Sequence, residues 1–413
     1  MLREEKGRTI GVFRDLLLGS HFQPIFSLAH RRIVGFEALL RATDNAGRPR
    51  GPLEVFGCVT DRDDTVLLDR LCRTTHMRNF SRYETGESWL FLNINPQVIV
   101  SGVSDGFLQR ELARLQFPPH RIVIEILEAA LQNDAPLAEA VAYYRDLGCL
   151  IAIDDFGAGH SNFDRICRLR PDIVKLDRSI VMQAALDKRI GAIMPGMVSL
   201  LHESGSLVVM EGIETEREAM VAMDADADLV QGYFFARPAP DALLSERPVF
   251  ADLFDQFQNI TASERGSYRS EIAPYINGIG YTSVLLQSNR PLEVACRGFL
   301  ELPRAERCFL LDGNGSQIDN NFNAPHAQVA SDPRFAPLKN ARGANWSRRH
   351  YFRRAIARPE RVQVTRPYLS AANAMPCVTV SIAFKVNGEL RILCGDILWN
   401  QRFSTMDQIP EFR

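Results

Sequence analysis

The chain has 413 residues, of which 46% are hydrophobic and 24% are charged. These proportions are ordinary for a folded protein and argue against wholesale disorder, and the length predicts two or three domains. The 48 Lys and Arg residues nearly balance the 50 Asp and Glu residues, giving a formal net charge of −2. This balance does not favour an electrostatic binder of DNA or RNA.

The sequence shows no pattern typical of secretion or membrane insertion. Its first residues, MLREEKGRTIGVFRDLLLG, are charged and lack the apolar core of a signal peptide, and no apolar run approaches the roughly 20 residues that a membrane span needs. The eight cysteines form no C-x-x-C pair, and most lie in apolar segments. We therefore expect a cytoplasmic protein with buried, reduced thiols rather than disulfides or a thiolate zinc site.

Short apolar segments alternate with amphipathic stretches from residue 20 to about 240. The segments are FQPIFSL (22–28), IVGFEALL (33–40), WLFLNI (89–94), IVIEI (122–126), LIAIDD (150–155), DIVKL (172–176), LVVMEG (207–212) and LVQGYFF (229–235). Only AHRR separates the first two, which predicts an antiparallel hairpin. The rest predicts βα units and a parallel sheet, either a barrel of the triosephosphate-isomerase type or an open doubly wound sheet.

The pattern changes after residue 240. A polar, helical stretch over 248–275 predicts a linker between a first domain at 1–247 and a second at 276–413. The second domain has shorter, strand-rich segments: TSVLLQS, RCFLLD, RVQVTRPYLS, CVTVSIAFKV and LRILCGDILW. Asn-Gly within KVNGEL is a hairpin signal, so we expect a smaller α+β domain around an antiparallel sheet.

Polar residues interrupt the apolar segments of the first domain where a buried strand should not have them. They are Glu37, Asn93, Glu125, Asp154, Lys175, Glu211 and Gln231. Burying so many charged groups separately would be costly, whereas in a barrel the strand ends converge at one mouth. The sequence therefore predicts an anionic cup that binds cations.

The residue types in this cup indicate which cations it would bind. Carboxylate and amide oxygens favour hard ions such as Mg²⁺, Mn²⁺ or Ca²⁺, and the eight histidines show no paired spacing. Two such ions can activate a water and stabilise the leaving oxygen of a phosphoester. Asp154 and Asp155 immediately precede FGAG, where a glycine turn would let both face inward. An Asx-type turn that ends the strand is the alternative interpretation.

An ordered set of motifs in this region resembles the EAL domain, the phosphodiesterase family that linearises cyclic di-GMP. The motifs are QPI (23–25), EALLR (37–41), FLNINP (91–96), EILE (125–128), DDFGAG (154–159), KLD (175–177), EGIE (211–214) and QGYFFARP (231–238). The resemblance implies a (β/α)8 barrel of the triosephosphate-isomerase type with an antiparallel first hairpin. It also implies metal-dependent hydrolysis of cyclic di-GMP to linear pGpG, in a homodimer.

The resemblance also implies the positions of two divalent ions, Mg²⁺ or Mn²⁺, with Ca²⁺ inhibitory. The first ion would be bound by Glu37, Asn93, Glu125 and Asp154. The second would be bound by Asp154, Asp155 and Glu211. A cyclic di-GMP receptor of weak activity, which would signal through the C-terminal domain, is the alternative function.

Further roles follow from the same resemblance. The catalytic residues would be Lys175, which orients the attacking water, together with Glu211, Asp155 and Gln231. The contacts to the dinucleotide would come from Gln23, Leu39, Arg41, Asp177 and Pro238. Glu128 and Glu214 would support the loops that carry the metal ligands without touching the ions themselves.

The second domain resembles PAS/Cache sensor domains, in which a small ligand sits between a helix and an antiparallel sheet. The resemblance rests on WSRRHYFRRA, VQVTRPYLSAANAMPCVTVSIAF and LRILCGDILW. It implies a ligand site, for a small molecule or another signal, at Arg349, Tyr351, Tyr368 and Asp396. A docking or dimerisation module is the alternative. The basic stretch from Arg342 to Arg366 is either a solvated helix face or an anion-recognition patch.

Overall fold

A computed structural model describes residues 1–83, 86–100, 106–127, 134–159, 163–242, 249–327, 341–370 and 375–399. The chain divides into two compact units, Met1–Phe257 and Gln258–Arg413. Within the described residues, none of the helices combines the length and hydrophobicity that a membrane crossing requires.

The described residues of the first unit form eleven strands in one sheet. They are β1 (Leu2–Glu5), β2 (Arg8–Phe13), β3 (Leu16–Ser27), β4 (Arg32–Asp44), β5 (Pro49–Arg50), β6 (Trp89–Asn93), β7 (Ile122–Leu127), β8 (Leu150–Phe156), β9 (Ile173–Leu176), β10 (Leu207–Met210) and β11 (Leu229–Val230). Eight of them close a barrel in the order β3-β11-β10-β9-β8-β7-β6-β4, because β4 also pairs with β3. The predicted barrel and its antiparallel first hairpin are confirmed, and the open sheet is excluded.

Helices connect the parallel strands and cover the outside of the barrel. They are α1 (Pro52–Gly57), α2 (Arg62–Phe80), α3 (Pro96–Val100), α4 (Phe107–Leu115), α5 (Asp134–Asp146), α6 (Phe163–Leu169), α7 (Arg178–Leu186), α8 (Lys188–Glu203) and α9 (Glu216–Asp224). Alternate strand residues, such as Ile124, Ile153 and Val208, share one apolar cluster with helix residues. The nearly unbroken apolar runs of the sequence follow from this, since each strand is buried on both faces.

A separate layer of apolar side chains closes the inside of the barrel. It consists of Ile25, Phe91, Val123, Ala152, Ile173, Val209 and Leu229, one from each of seven strands. The eighth strand contributes Gly35, where a Cβ would lie 2.9 Å from the Phe91 ring, so a larger residue would not fit. We refer to these eight residues as the apolar plug. The polar residues of the barrel interior lie directly above it.

The second unit is an antiparallel sheet with helices on both faces. Its elements are α10 (Val249–Gln287, which begins in the first unit), α11 (Leu292–Leu300), β12 (Ala305–Asp312), β13 (Phe322–Asn323), α12 (His350–Ala357), β14 (Gln363–Val364), β15 (Tyr368–Leu369), β16 (Pro376–Val386) and β17 (Glu389–Leu398). The strands follow the order β13-β12-β17-β16-β14, with β15 also on β16. The predicted hairpin joins β16 to β17 through Asn387 and Gly388, both at positive φ.

One predicted element of this unit is wrong. The segment TSVLLQS has the pattern of a strand, but it forms the end of α10. Within α10, Ile272, Tyr275, Ile279 and Leu286 are buried at helical spacing, while Tyr281 and Val284 are exposed. The short β-branched and apolar run is thus the last part of a longer amphipathic pattern. The predicted linker over 248–275 also falls in this helix.

The cysteines of both units are unpaired thiols. Six of the eight are buried, and Cys58 and Cys167 are exposed. Burial raises the pKa of the Cys149 thiol to about 12, so this group is held in its unreactive, neutral form.

Candidate active site

Eight polar side chains form a second layer inside the barrel, above the apolar plug. Each lies two residues along its strand from a residue of the plug, for example Glu125 from Val123 and Lys175 from Ile173. Because residues i and i+2 of a strand point to the same face, both layers face the barrel interior. The eight residues are Gln23, Glu37, Asn93, Glu125, Asp154, Lys175, Glu211 and Gln231. Seven of them are the polar interruptions that the sequence analysis singled out.

Lys175 is at the centre of this layer. It is 1% exposed, and its Nζ lies 2.5 Å from Oε1 of Glu125 and 2.5 Å from Oε1 of Glu211. Asp154 and Glu37 complete its surroundings at 3.1 and 3.6 Å. One ammonium group therefore faces four carboxylates from four different strands or strand ends.

Two amides connect the carboxylates at the other side of the layer. Nδ2 of Asn93 donates to Oε1 of Glu37 at 3.1 Å and to Oε2 of Glu125 at 2.9 Å. Nε2 of Gln231 donates to Oε2 of Glu37 at 2.7 Å. Oε1 of Gln231 is buried and has no hydrogen-bond partner among the described residues. The amides thus fix the carboxylates, and Oε1 of Gln231 remains available as an acceptor.

The layer carries an excess of negative charge. Burial raises the pKa values of Glu125 and Glu211 well above their usual range, although Lys175 opposes the shift. Burial and the neighbouring Asp154 carboxylate raise the pKa of Asp155 to about 6. For Lys175, burial favours the neutral amine, but the carboxylates outweigh it and raise its pKa well above the usual value. A protein-bound cation besides Lys175 would relieve this excess.

The backbone explains how two adjacent aspartates reach the same site. The pairing of β8 with β9 shifts register between Ile153 and Phe156, and Asp155 has a φ of 59°. This left-handed residue interrupts the alternation of the strand, so Asp155 does not point away from Asp154. Ligand atoms of Asp154, Asp155 and Glu211 all lie within 4.8 Å of one another. The structure therefore has the arrangement in which both aspartates face inward.

The donor set fits divalent cations. Five carboxylates, those of Glu37, Glu125, Asp154, Asp155 and Glu211, surround one lysine, which leaves four negative charges when all are ionised. All donors are oxygens, and the orphaned Oε1 of Gln231 adds an acceptor. Hard cations such as Mg²⁺ and Mn²⁺ are the partners that such oxygen sets prefer.

Of the residues expected to contact a dinucleotide, Gln23 belongs to the layer, and Leu39, Arg41 and Pro238 lie around its rim. Gln23 is the cross-strand neighbour of Glu37, and its Nε2 donates to the carbonyl of Ala236 at 3.2 Å. Leu39 and Arg41 continue the inward-facing series of β4 after Glu37, and Arg41 is exposed. The half-buried Pro238 lies next to Ala239, which pairs with Phe22 on β3.

The remaining predicted residues of the site are Asp177, Glu214 and Glu128. Asp177 caps the N-terminus of α7, where its Oδ1 accepts from the backbone N–H of Ser179 at 2.9 Å. Glu214 pairs with Arg178 at 2.8 Å, so it ties the loop after β10 to the start of α7. Glu128 lies outside the described residues, and its bracing role stays a prediction.

Gly232 is a residue of this site that the sequence analysis did not assign. A Cβ at this position would lie 2.0 Å from the carbonyl oxygen of Ile213. The backbone N–H of Ile213 donates to the carbonyl of Gln231 at 3.1 Å. The loop after β10 and the turn after β11 therefore touch through their backbones, and only glycine permits this approach. The sequence feature that could have identified Gly232 is its position directly after Gln231, a predicted site residue.

The four residues predicted for a ligand site in the second unit are also brought together. Arg349, Tyr351, Tyr368 and Asp396 all line one pocket. It lies on the α12 side of the sheet, where Tyr351 packs beside Phe309 with ring centroids 5.9 Å apart. The pocket also contains Arg307, which the sequence analysis did not name.

Comparisons with known proteins agree with this geometry. A region of 242 residues is 31% identical to the cyclic di-GMP phosphodiesterase NbdA of Pseudomonas aeruginosa, covering 56% of this chain and 30% of NbdA. The phosphodiesterase RocR of the same organism is 32% identical over 37% of this chain and 39% of RocR. The chain thus matches about a third of the length of these relatives.

Solved structures show a similar fold over most of the chain, and a match to a domain family covers more than half of it. The YkuI protein of Bacillus subtilis, solved with cyclic di-GMP and calcium, has a TM-score of 0.79 at 20% identity, covering 93% of this chain and 97% of YkuI. BlrP1 of Klebsiella pneumoniae, solved with manganese and cyclic di-GMP, has a TM-score of 0.50 at 27% identity, covering 54% of this chain and 56% of BlrP1. Residues 14–238 match the EAL domain, which is more than half of the chain. The chain belongs to the EAL domain family.

Proposed function

We propose that the first unit hydrolyses cyclic di-GMP to linear pGpG with two bound divalent cations, Mg²⁺ or Mn²⁺. The observation that carries the proposal is the layer of eight inward-facing polar residues, in which Lys175 is surrounded by four carboxylates. When bound, the cations would supply an activated water and stabilise the leaving oxygen. The named activity of NbdA and the ligands of YkuI and BlrP1 support the same substrate.

The residues of the site would have different roles in hydrolysis according to their position. Glu37, Asn93, Glu125 and Asp154 would hold one cation, and Asp154, Asp155 and Glu211 the other. The ammonium of Lys175 would orient the attacking water and hold the carboxylates in place, and Gln231 would offer its free Oε1 to that water. Because the full acidic set is present, hydrolysis fits the site better than the alternative of a weakly active receptor.

Substrate contacts are proposed for the rim. The guanidinium of Arg41 donates to the adjacent carbonyl of Leu40 at 2.9 Å and pairs with no carboxylate among the described residues. Its planar fork is therefore available for a phosphate of the dinucleotide. Gln23, Leu39, Asp177 and Pro238 would form the guanine end and the wall of the binding site.

The test is product formation by the purified full chain. Cyclic di-GMP is incubated with Mg²⁺ or Mn²⁺, with EDTA, or with Mg²⁺ plus excess Ca²⁺, and nucleotides are separated by chromatography. We expect pGpG with Mg²⁺ or Mn²⁺, no turnover in EDTA, and inhibition by Ca²⁺, whose looser coordination misplaces the water. Glu37→Ala and Asp154→Asn should each lower turnover at least about 10²-fold, whereas Glu216→Gln, at an exposed position on α9, should not. Undiminished turnover after metal stripping would refute the proposal.

We also propose that the second unit is a PAS/Cache-like sensor that regulates the barrel, in a cytoplasmic homodimer. The pocket that contains all four predicted residues supports a sensor over a docking module. The turnover and the mass by light scattering of the full chain are compared with those of residues 1–257. A monomeric full chain with the turnover of the first unit alone would contradict both the dimer and the regulation.

A further inference from the structure

The hydrogen bonds around the pocket of the second unit indicate the chemistry of its ligand. The described residues that line it are Arg307, Phe309, Gln317, Asn321, Ala341, Trp346, Arg349, Tyr351, Tyr368, Ser370 and Asp396. A polar group at such a wall either bonds to a protein neighbour or remains available to a ligand. The polar groups of this wall therefore divide into those bonded to the protein and those available to a ligand.

The acceptors of Asp396 are already used. Asp396 is 2% exposed, and its Oδ2 accepts from Nε of Arg307 at 2.7 Å. Its Oδ1 accepts from the hydroxyl of Thr379 at 2.7 Å. The sheet imposes this arrangement, because Arg307 on β12 and Thr379 on β16 are the register partners of Asp396 on β17. Asp396 thus orients an arginine and is poorly placed to bind a ligand amine.

The hydroxyl of Tyr368 and the indole of Trp346 are also committed. Since Thr379 gives its only O–H to Asp396, Tyr368 must donate in its 2.6 Å contact with the Thr379 hydroxyl. Nε1 of Trp346 donates to Oε1 of Gln317 at 3.0 Å. Both aromatic rings therefore present mainly apolar surface to the pocket.

The groups that remain free are donors. Arg307 is 8% exposed, and it uses Nε for Asp396 and Nη2 for Ser370, which leaves Nη1 without an acceptor among the described residues. The hydroxyl of Tyr351 and the guanidinium of Arg349 likewise have no acceptor within that part of the chain. Burial raises the pKa of Tyr351, so its hydroxyl keeps its proton. Two guanidinium groups against one carboxylate also give the lining a net positive charge.

We propose that this pocket binds a small organic carboxylate, with the carboxylate on Arg307, Arg349 and Tyr351 and the apolar body against the aromatic rings. The rings are those of Phe309, Trp346, Tyr351 and Tyr368. The cavity is small, so it favours a compact acid. Asp396 is a positioning residue that holds Arg307. The inference deepens the proposed regulatory role and is independent of hydrolysis.

The test is direct binding to the full chain in EDTA, without cyclic di-GMP, so that its failure would leave the proposed hydrolysis untouched. Calorimetry and thermal shift are run at matched ionic strength with acetate, butyrate, benzoate and phenylacetate. The neutral amide of each acid, the corresponding amines and inorganic phosphate serve as comparison probes. We expect saturable binding of at least one acid with an apolar body, and affinity at least about tenfold lower for its amide, because charge-assisted hydrogen bonds are lost.

Variants connect the binding to these residues. Arg349→Gln and Tyr351→Phe should each weaken the acid several-fold, while Arg353→Gln, exposed on the same helix and outside the pocket, should not. Asp396→Asn should lower the preference for acid over amide without creating affinity for amines, whereas a merely structural residue would leave that preference unchanged. Saturable amine binding, phosphate binding tighter than that of every acid, or no binding of any acid below about 10 mM would each overturn the proposal.

Discussion

The carboxylate of Asp69 on α2 accepts a hydrogen bond from the backbone N–H of Asn95 at 2.9 Å. Asn95 is two residues beyond Asn93, the proposed metal ligand at the end of β6. Asp69 is 2% exposed and is itself fixed by Arg73, whose Nε lies 2.7 Å from its Oδ2. A buried ion pair on a covering helix therefore anchors the chain where it leaves the active site.

We expect Asp69→Leu, which removes the acceptor of the Asn95 N–H, to weaken binding of the cation proposed for Asn93, although residue 69 does not reach the site. Loss of a group that orients a metal ligand typically costs about 10- to 100-fold in affinity. The change also leaves the buried Arg73 without its charge partner, which destabilises a fold by about 3–5 kcal/mol. Mn²⁺ titration calorimetry and urea unfolding measure the two effects separately.

The double variant Asp69→Leu/Arg73→Met is the control for this prediction. It removes the anchor of Asn95 together with the unpaired charge, so it should regain most of the stability and still bind Mn²⁺ weakly. If the double variant bound Mn²⁺ as tightly as the unaltered protein, the anchor would have no role in positioning Asn93.

Lys175→Met should separate the structural role of the central lysine from its proposed catalytic role. In EDTA the variant should be less stable, because four carboxylates lose the ammonium that faces them. Mn²⁺ should restore more stability to the variant than it adds to the unaltered protein, since the cation takes over this compensation. Turnover should remain at least about 10²-fold lower, because the cation would not replace the group proposed to orient the water.

Thermal unfolding with and without Mn²⁺, together with single-turnover rates, checks this expectation. Lys188→Met removes an exposed lysine and should change neither quantity. A near-normal rate for Lys175→Met would show that another group positions the nucleophile.

Substitutions at Asp155 should distinguish the contribution of its backbone conformation to stability from the contribution of its carboxylate to turnover. Its φ of 59° is tolerated by Asn and Gly and disfavoured for β-branched residues. Asp155→Asn and Asp155→Gly should therefore keep the folding stability within about 1 kcal/mol but lose most metal-dependent turnover. Asp155→Val should lose both, at a cost of at least about 1–2 kcal/mol in stability.

Denaturant unfolding and turnover of these three variants are the measurements. Ile153→Val, a conservative change at a fully buried position on the same strand, serves as the control and should keep most of the turnover. Equal stabilities for the Val and Asn variants of Asp155 would mean that the left-handed conformation is not maintained in solution.

The barrel and its polar layer could be predicted because both follow from local pattern. Glu125 is recognisable in the sequence because it is the one charged residue of the apolar segment IVIEI. The convergence of strand ends in a barrel then places it beside Lys175. Contacts between distant segments could not be predicted in this way. The Asp69–Asn95 bond joins a helix to a strand end, and the Arg307–Asp396 pair depends on the order of strands in the second sheet. Neither contact leaves a periodic pattern in the sequence.

Local pattern also accounts for the misassigned strand at TSVLLQS and for β1, which was not predicted. In TSVLLQS, local β-propensity favoured a strand, but burial of Ile279 and Leu286 on one face maintains the helix. At the N-terminus, β1 is mostly exposed and polar and carries no alternation, so its pairing with β2 leaves no hydrophobic signal.

The end of the first unit provides the last prediction. Leu253 is 2% exposed in the main core of the barrel, where Phe254 and Phe257 also pack, and the guanidinium of Arg31 lies 4.0 Å from the Phe254 ring centroid. A protein that ends at residue 247 lacks Leu253, Phe254 and Phe257. We expect it to be less stable than Met1–Phe257 by about 2–4 kcal/mol, since burial of one Leu side chain contributes about 1.5–3 kcal/mol.

Urea unfolding followed by tryptophan fluorescence measures this difference, because Trp89 is the only tryptophan in residues 1–257. Trp89 lies on β6 with its ring 6.4 Å from that of Phe91, so its emission reports on the barrel itself. Within the 1–257 protein, Leu253→Ala should reproduce most of the loss, and Asp252→Ala, at the exposed neighbouring position, should reproduce none of it. Equal unfolding midpoints for the 1–247 and 1–257 proteins would show that the start of α10 does not stabilise the barrel.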